Sequence, residues 1–449
     1  MEQPVPRPID ERFRDSLEFH VGAPLVFGAI ARSRREGTER RTVSMFSRSI
    51  FFLWFCASIV ACSSTASSVR DQGESPLASA HPPVTFKFLT YNALHGLTTG
   101  RFGVAPGETP EQNETRFQLL MKQLEHERPD VVFLQEVNPL PQRAERYVTA
   151  LEALGLRYRV VYQVDACGVR LSGEKALFPE LNNGLAILAR EELELKKIMG
   201  LQLSGDLGNC KTSSGFQLRE LRYGLIADIG LPGTRARYLL ASTHLHSGFE
   251  TGGQFMGMLA DLYREGRFRE YPTFKWEIEQ SRLRRIGELN VLVRMLNKLK
   301  RERGYAGIII AGDLNFEQDF PEYEEVRLLR FTDTTLLGGQ GRELYTADPI
   351  RNGWIRMEEG AAIPQSLLDA IAPEDASVRE RIVAAYRDEM RRPRRIDYIL
   401  VDAIPPDYCL RQTLFGLEKD EKGFPASDHY GVLNTYSRVD PGQACPVGS

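Results

Sequence analysis

Ile308-Ile309-Ile310-Ala311-Gly312-Asp313-Leu314-Asn315 carries the chain's most informative pattern. Three β-branched residues in succession form a short, continuous apolar run, as in a strand buried on both faces. Ala311 and Gly312 thin the packing, so another group can approach the backbone closely. Asp313 and Asn315 alternate with Leu314, which in an extended chain puts both polar side chains on one side at the strand's end. A carboxylate and a carboxamide placed there can hold a water, a metal or a phosphate oxygen. The plain alternative is a strand that stops at an Asx turn.

The whole chain is consistent with a folded protein. Its 449 residues are 26% charged and 42% hydrophobic with a formal net charge of -3, enough for one large domain or two. That charge gives no global reason to favour nucleic acid, although a local basic groove can sit on an acidic protein. With seven histidines in all, each one in a polar context is informative.

The first residues read as an address. Residues 1–44 are polar and Arg-rich without an apolar period, so they are expected to be unstructured, or an over-called extension upstream of Met45. Residues 45–62 follow as a basic residue, an apolar run too short to span a bilayer comfortably, and small residues, the layout of an export signal. Its end, Ile59-Val60-Ala61-Cys62, resembles a bacterial lipobox. That implies a lipoprotein anchored at the periplasmic or cell-surface membrane; a plain signal peptide would give a secreted protein. Residues 63–83, rich in Ser, Ala and Pro, read as a flexible tether, and residues 84–449 as the folded domain. Cys167, Cys210, Cys409 and Cys445 are then free to form disulfides, with neighbours in sequence the expected pairs. No Cys/His cluster argues for zinc.

Along the domain, polar residues recur where strands end. Val84–Asn92 reads as a strand ending in Asn92, and Asp130–Val137 as a second carrying Glu136. An amphipathic helix, Glu114–Arg128, lies between them. Further strands cover Leu185–Leu188, Tyr223–Ile229 and Tyr238–His244, the last followed by Leu245 and His246. A helix from about Trp276 to Arg301 turns Ile278, Leu283, Ile286, Leu289, Leu292, Leu296 and Leu299 inward and a solvated basic face outward. Arg394–Val401 holds Asp397 near its start, and Asp428-His429 precedes a final strand. Together these residues suggest a cluster at one edge of a packed sheet pair.

In this order the motifs Thr90-Tyr91-Asn92, Leu134-Gln135-Glu136-Val137, Thr243-His244-Leu245, Gly312-Asp313-Leu314-Asn315, Arg395-Ile396-Asp397-Tyr398 and Ser427-Asp428-His429 resemble the endonuclease/exonuclease/phosphatase (DNase-I-like) superfamily. The resemblance implies an α/β fold: a four-layer α/β sandwich of two packed mixed sheets flanked by helices. Thr243-His244-Leu245-His246-Ser247, Phe331-Thr332-Asp333, Tyr345–Pro349 and Phe424–His429 look most like the neutral sphingomyelinase branch.

The implied activity is metal-dependent hydrolysis of a phosphodiester by in-line attack of water, on a phospholipid headgroup. Glu136 and Asn92 suit a hard cation such as Mg²⁺, with Mn²⁺ or another divalent ion as substitutes, and Asp428 stands as a further ligand. Asp313 is expected to face the attacking water, Asn315 and His244 a phosphate oxygen, and Asp397 to fix the tautomer of His429. Either His429 or Asp313 takes the proton. A surface nuclease, an inositol-phosphate-type phosphatase and a module with an idle centre are the competing readings; the nuclease makes nucleic acid the alternative substrate.

Other residues are read more plainly. His95 and His246 are rim residues, and Asn182-Asn183-Gly184 is a turn. The aromatic segment 249–275 either dips into a lipid interface or packs at home. Ala372–Arg392 reads as a charged, solvated helix.

Overall fold

The computed structural model describes residues 85–94, 109–167, 182–205, 221–232, 235–247, 252–337, 344–358, 375–403 and 408–439. All of these fall in the compact unit Gly73–Ser449. The expected signal, tether and unstructured N-terminal segment, with His95, Cys210 and Cys445, lie outside the described residues. Cys409 is disulfide-bonded. Among the described residues no helix is long and apolar enough to cross a membrane.

Among the described residues, twelve strands form two six-stranded sheets. The first contains β1 (Thr85–Asn92), β2 (Val131–Gln135), β3 (Tyr158–Cys167), β4 (Asn182–Arg190), β11 (Tyr408–Phe415) and β12 (Gly431–Arg438), in the order β11-β12-β1-β2-β4-β3. The second contains β5 (Lys196–Ser204), β6 (Arg222–Gly230), β7 (Arg237–His244), β8 (Gly307–Asp313), β9 (Thr332–Asp333) and β10 (Asp397–Val401), in the order β5-β6-β7-β8-β10-β9. Both are mixed: β1–β2 and β7–β8 are parallel and the other pairs antiparallel.

Strand alternation sets the layers. In β8, Ile309 and Ala311 join Phe88, Phe133, Leu240 and Ile399 in the core between the sheets. Ile308 and Ile310 face outward onto Leu289, Leu292 and Leu296 of the long helix α4 (Tyr271–Arg303). The first sheet turns Leu89, Tyr91, Val132 and Leu134 onto α1 (Pro110–Glu127) and α2 (Gln142–Ala153). The result is the expected α/β/β/α sandwich, and it explains the unbroken apolar run: β8 is covered on both faces.

Several local readings change. α1 begins a turn earlier than its apolar period, because Thr109 and Gln112 make a reciprocal capping box. Asn182-Asn183-Gly184 is no turn but the start of β4, paired with β3. Gly184 serves close approach there, since a Cβ would meet the Gln163 carbonyl at 2.1 Å. On α4, Leu283 is 60% exposed, whereas Arg285 and Glu288 are buried, so part of the charged face is internal.

The segment following β7 packs at home. Phe255, Leu259 and Leu262 of α3 (Gly253–Arg264), with Phe268 and Phe274, close over Val378, Ile382 and Tyr386 of α7 (Ala376–Met390). The latter helix is therefore not simply solvated: its apolar face completes a small satellite core. The remaining α-helices among the described residues are α5 (Pro321–Leu328) and α6 (Gly353–Glu358).

Candidate active site

The polar strand ends share one edge because register and direction put them there. Asp397, starting β10, pairs with Asp313, ending antiparallel β8, and His244, ending parallel β7, pairs with Asp313 on the other side. In the other sheet Asn92 pairs with Gln135, and β12 runs antiparallel to β1, which brings the preceding Asp428-His429 to the same edge. By alternation Asn92, Gln135, His244, Asp313 and Asp397 all face the gap between the sheets, where Gln135 Nε2 donates to Ser242 Oγ (3.2 Å) and joins one sheet to the other.

Two left-handed residues complete the cluster. Glu136, at φ 56°, leaves the strand and swings its carboxylate to Asn92 instead of the outer face. Asn315, at φ 52°, ends the alternation expected from the sequence, and its Nδ2 donates to the Leu245 carbonyl (3.0 Å). The Asx-turn reading of this stretch also holds, since Asn315 N–H donates to Asp313 Oδ1 (3.0 Å). Gly312 is required by its neighbour: a Cβ would lie 1.8 Å from the Thr243 carbonyl oxygen.

The distances define one site. Asn92 Nδ2 donates to Glu136 Oε1 (3.1 Å) and to Asp313 Oδ2 (3.2 Å). The His244 imidazole spans the same carboxylates, with Nδ1 3.9 Å from Glu136 Oε1 and Nε2 3.6 Å from Asp313 Oδ2. His429 Nδ1 lies 2.8 Å from Asp397 Oδ2, and its Nε2 3.8 Å from Asp313 Oδ2. Ser427 Oγ donates to the Asn92 carbonyl (2.6 Å) and lies 3.0 Å from Asp428 Oδ1, so Asp428 sits beside the Asn92 turn. The eight residues singled out in the sequence are thus all brought together.

The carboxylates around His429 shift its proton affinity. Burial pushes its pKa down, but Asp397, Asp428 and Asp313 outweigh burial and hold it well above the usual imidazole value. The facing atoms of Asp313, Asp397 and His429 lie within 4.8 Å of one another, close enough for three ligands of one ion. The 2.8 Å contact between His429 and Asp397 argues otherwise, because Nδ1 is already spent on a hydrogen bond. Asn92 turns its nitrogen, not its oxygen, toward Glu136, while its Oδ1 accepts from Leu94 N–H (3.1 Å).

Supporting residues lie around this centre. Thr346 Oγ1 accepts from the backbone N–H of Ile396 (3.1 Å) and Asp397 (3.2 Å), which fixes the start of β10. Asp333 pairs with Arg395 at 2.7 Å, both buried, so that acidic motif braces the strand start and does not enter the site. His246 is half-buried; its N–H donates to Glu288 Oε2 (2.8 Å) and its carbonyl accepts from Arg285 Nη1 (3.3 Å). Sequence pattern gave no sign of Glu288 or Arg285, since both sit on a helix most of whose other charges are exposed.

The family model described as "Endonuclease/Exonuclease/phosphatase family" matches residues 89–429. A comparison with curated proteins returns no match. Among solved structures the chain is similar to TDP2 from C. elegans, at 15% identity over 79% of this chain and 75% of that one, with a TM-score of 0.46. It is also similar to D. rerio TDP2 complexed with single strand DNA product (19% identity, 79% and 100% covered, TM-score 0.42). A family protein from Bacteroides thetaiotaomicron matches at 13% identity, with 80% and 96% covered and a TM-score of 0.45. With the family match running from within β1 to His429 and taking in every strand-end motif of the site, the chain belongs to the endonuclease/exonuclease/phosphatase family, a family of hydrolases.

Proposed function

We propose that this protein is a divalent-cation-dependent phosphodiesterase that cleaves a phospholipid headgroup in the manner of a sphingomyelinase, from an exported, lipid-anchored position. The observation that carries the hydrolytic reading is the pair of contacts on His429: Nδ1 to Asp397 at 2.8 Å, and Nε2 facing Asp313 at 3.8 Å. The lipid arm is supported by the sphingomyelinase-like motifs from Thr243 to Ser247 and from Phe424 to His429, and by the lipobox-like residues 59–62.

The residues fit a hard cation. Glu136 and Asp313 share a single amide donor on Asn92, which draws two like charges together. Glu136 and the half-buried Asp428 would hold a Mg²⁺ or similar ion, with Asn92 orienting Glu136. When bound, such an ion supplies charge neutralisation on the phosphate oxygens.

The protein's own groups account for the proton. The raised pKa favours protonated His429, which suits a donor to the phosphate or leaving group better than a base. Asp313 is then the acceptor of the water's proton. Its Oδ1 is anchored by Asn315 N–H, which leaves Oδ2 turned to the two imidazoles. His244 donates to a phosphate oxygen. Asn315 uses one Nδ2 hydrogen on Leu245 and has the second for the substrate.

The test is a panel of sphingomyelin vesicles, single-stranded DNA, RNA and inositol phosphates, each with and without Mg²⁺. Phosphocholine release that requires Mg²⁺ is expected. Cleavage of nucleic acid or inositol phosphate without phosphocholine release would overturn the substrate, and no hydrolysis of any would overturn the enzyme reading.

A further inference from the structure

The segment Pro425–Asp428, which delivers His429, is held in an unusual way. A buried backbone carbonyl needs a donor, and in a sandwich the donor is ordinarily the next strand. Here four consecutive carbonyls take side-chain donors. Trp354 Nε1 reaches the Pro425 oxygen (2.8 Å) and Arg116 Nη1 the Ala426 oxygen (2.7 Å). Asn352 Nδ2 donates to both Ser427 (2.9 Å) and Asp428 (2.8 Å). Sheet register brings this segment to the edge, and three side chains take up its carbonyls.

Those donors are themselves fixed. Asn352 is fully buried and its Oδ1 accepts from Trp354 N–H (3.0 Å). The Trp354 ring packs on Phe424 with centroids 4.8 Å apart. Arg116, buried on α1, also donates to the Ala93 (3.0 Å) and Leu94 (3.1 Å) carbonyls just beyond Asn92. One guanidinium thus spans the loop carrying Asn92 and the loop carrying His429.

We propose that Arg116, Asn352 and Trp354 are positioning residues that set the His429 imidazole against Asp397 and Asp313, with Arg116 fixing its separation from Asn92. The activity part of this inference rests on the hydrolase reading above; the geometric part does not. Misplacement of a reacting group by about 1 Å costs roughly 100-fold in rate. Loss of the clamp is therefore expected to appear in kcat and to leave KM within about threefold.

The experiment uses the full chain with Asn352→Leu, Trp354→Phe, Arg116→Met and Arg116→Lys, each first shown to melt cooperatively. Two readouts are taken: kcat and KM on the substrate found active in the panel, and the downfield proton resonance of the His429 Nδ1–Asp397 bond, identified by its loss in His429→Gln. Expected are a fall in kcat of about 100-fold for Asn352→Leu, a displaced or broadened resonance, and partial recovery in Arg116→Lys over Arg116→Met. Trp354→Phe keeps the ring packing and loses one donor, so it carries the test alone if Asn352→Leu does not fold. An unchanged resonance in folded variants, or none in the wild type, overturns the proposal. If the wild type hydrolyses nothing, the resonance still decides, so the two readings fail separately.

Discussion

Asn92 and Asp313 stand 221 residues apart on different sheets, yet Nδ2 of the first is 3.2 Å from Oδ2 of the second. The same nitrogen reaches Glu136 Oε1 at 3.1 Å, so one buried amide joins the carboxylate proposed to hold the cation to the one proposed to accept the proton. Asn92→Leu keeps the volume and removes the donor. Two carboxylates then face each other without it, and kcat on the active substrate is expected to fall by about 10²–10³. A steady-state comparison at saturating Mg²⁺ checks this, and a variant within threefold of wild type would contradict it.

Asp397 is fully buried and accepts from His429 Nδ1. Asp397→Asn preserves shape but removes the negative charge that favours the protonated His429 ring. A loss of roughly 10³–10⁴ in kcat is expected, by analogy with other buried carboxylate–histidine pairs. KM should change little, and a kcat profile measured across pH separates this from unfolding.

The raised pKa of His429 also makes a stability statement. Between the unfolded value, about 6.5, and the higher folded value, the native state binds more protons than the unfolded one. The stabilisation from the imidazolium and its carboxylates is thus fully present below about pH 6.5 and is lost as pH rises through the folded pKa. Urea unfolding of metal-free wild type and His429→Gln should show their difference shrinking with rising pH. A difference that grows would invert the assignment.

Arg285 and Glu322 form an ion pair at 2.7 Å with both side chains almost wholly buried. Glu322→Leu strands a guanidinium and is expected to cost about 3–5 kcal/mol, while Arg285→Met with Glu322→Leu should regain most of it. Denaturant unfolding of the three variants tests the coupling.

Mg²⁺ should raise the melting temperature of wild type, with a gain equivalent to about 2.7 kcal/mol at a hundredfold excess over Kd. In Glu136→Gln that gain should vanish, because the carboxylate proposed to hold the ion is gone. A thermal shift of equal size in both proteins would remove Glu136 as a ligand.

Much of the fold was legible because both sheets are buried on both faces: runs such as Ile308–Ala311 and Val131–Leu134 can only be internal strands. Less regular strands such as β3, β5 and β11 went unread, because they lie toward sheet edges and mix exposed with buried positions. Leu283 and Arg285 exchanged their expected places because α4 packs two buried charges against Ser204, His246 and Glu322 instead of a purely apolar stripe.

The order of motifs from Asn92 to His429 was enough to name residues that the fold brings to one edge, since each polar side chain sits where an apolar strand stops. Which atoms meet was decided by tertiary structure alone. Glu136 and Asn315 reach their partners only through left-handed backbone turns, and the carbonyls of Pro425–Asp428 find their donors on α1, on α6 and at the residue just before α6. Periodicity reports the face a side chain takes within one element; hydrogen-bond partners hundreds of residues away depend on how the elements are stacked, and that information is not local.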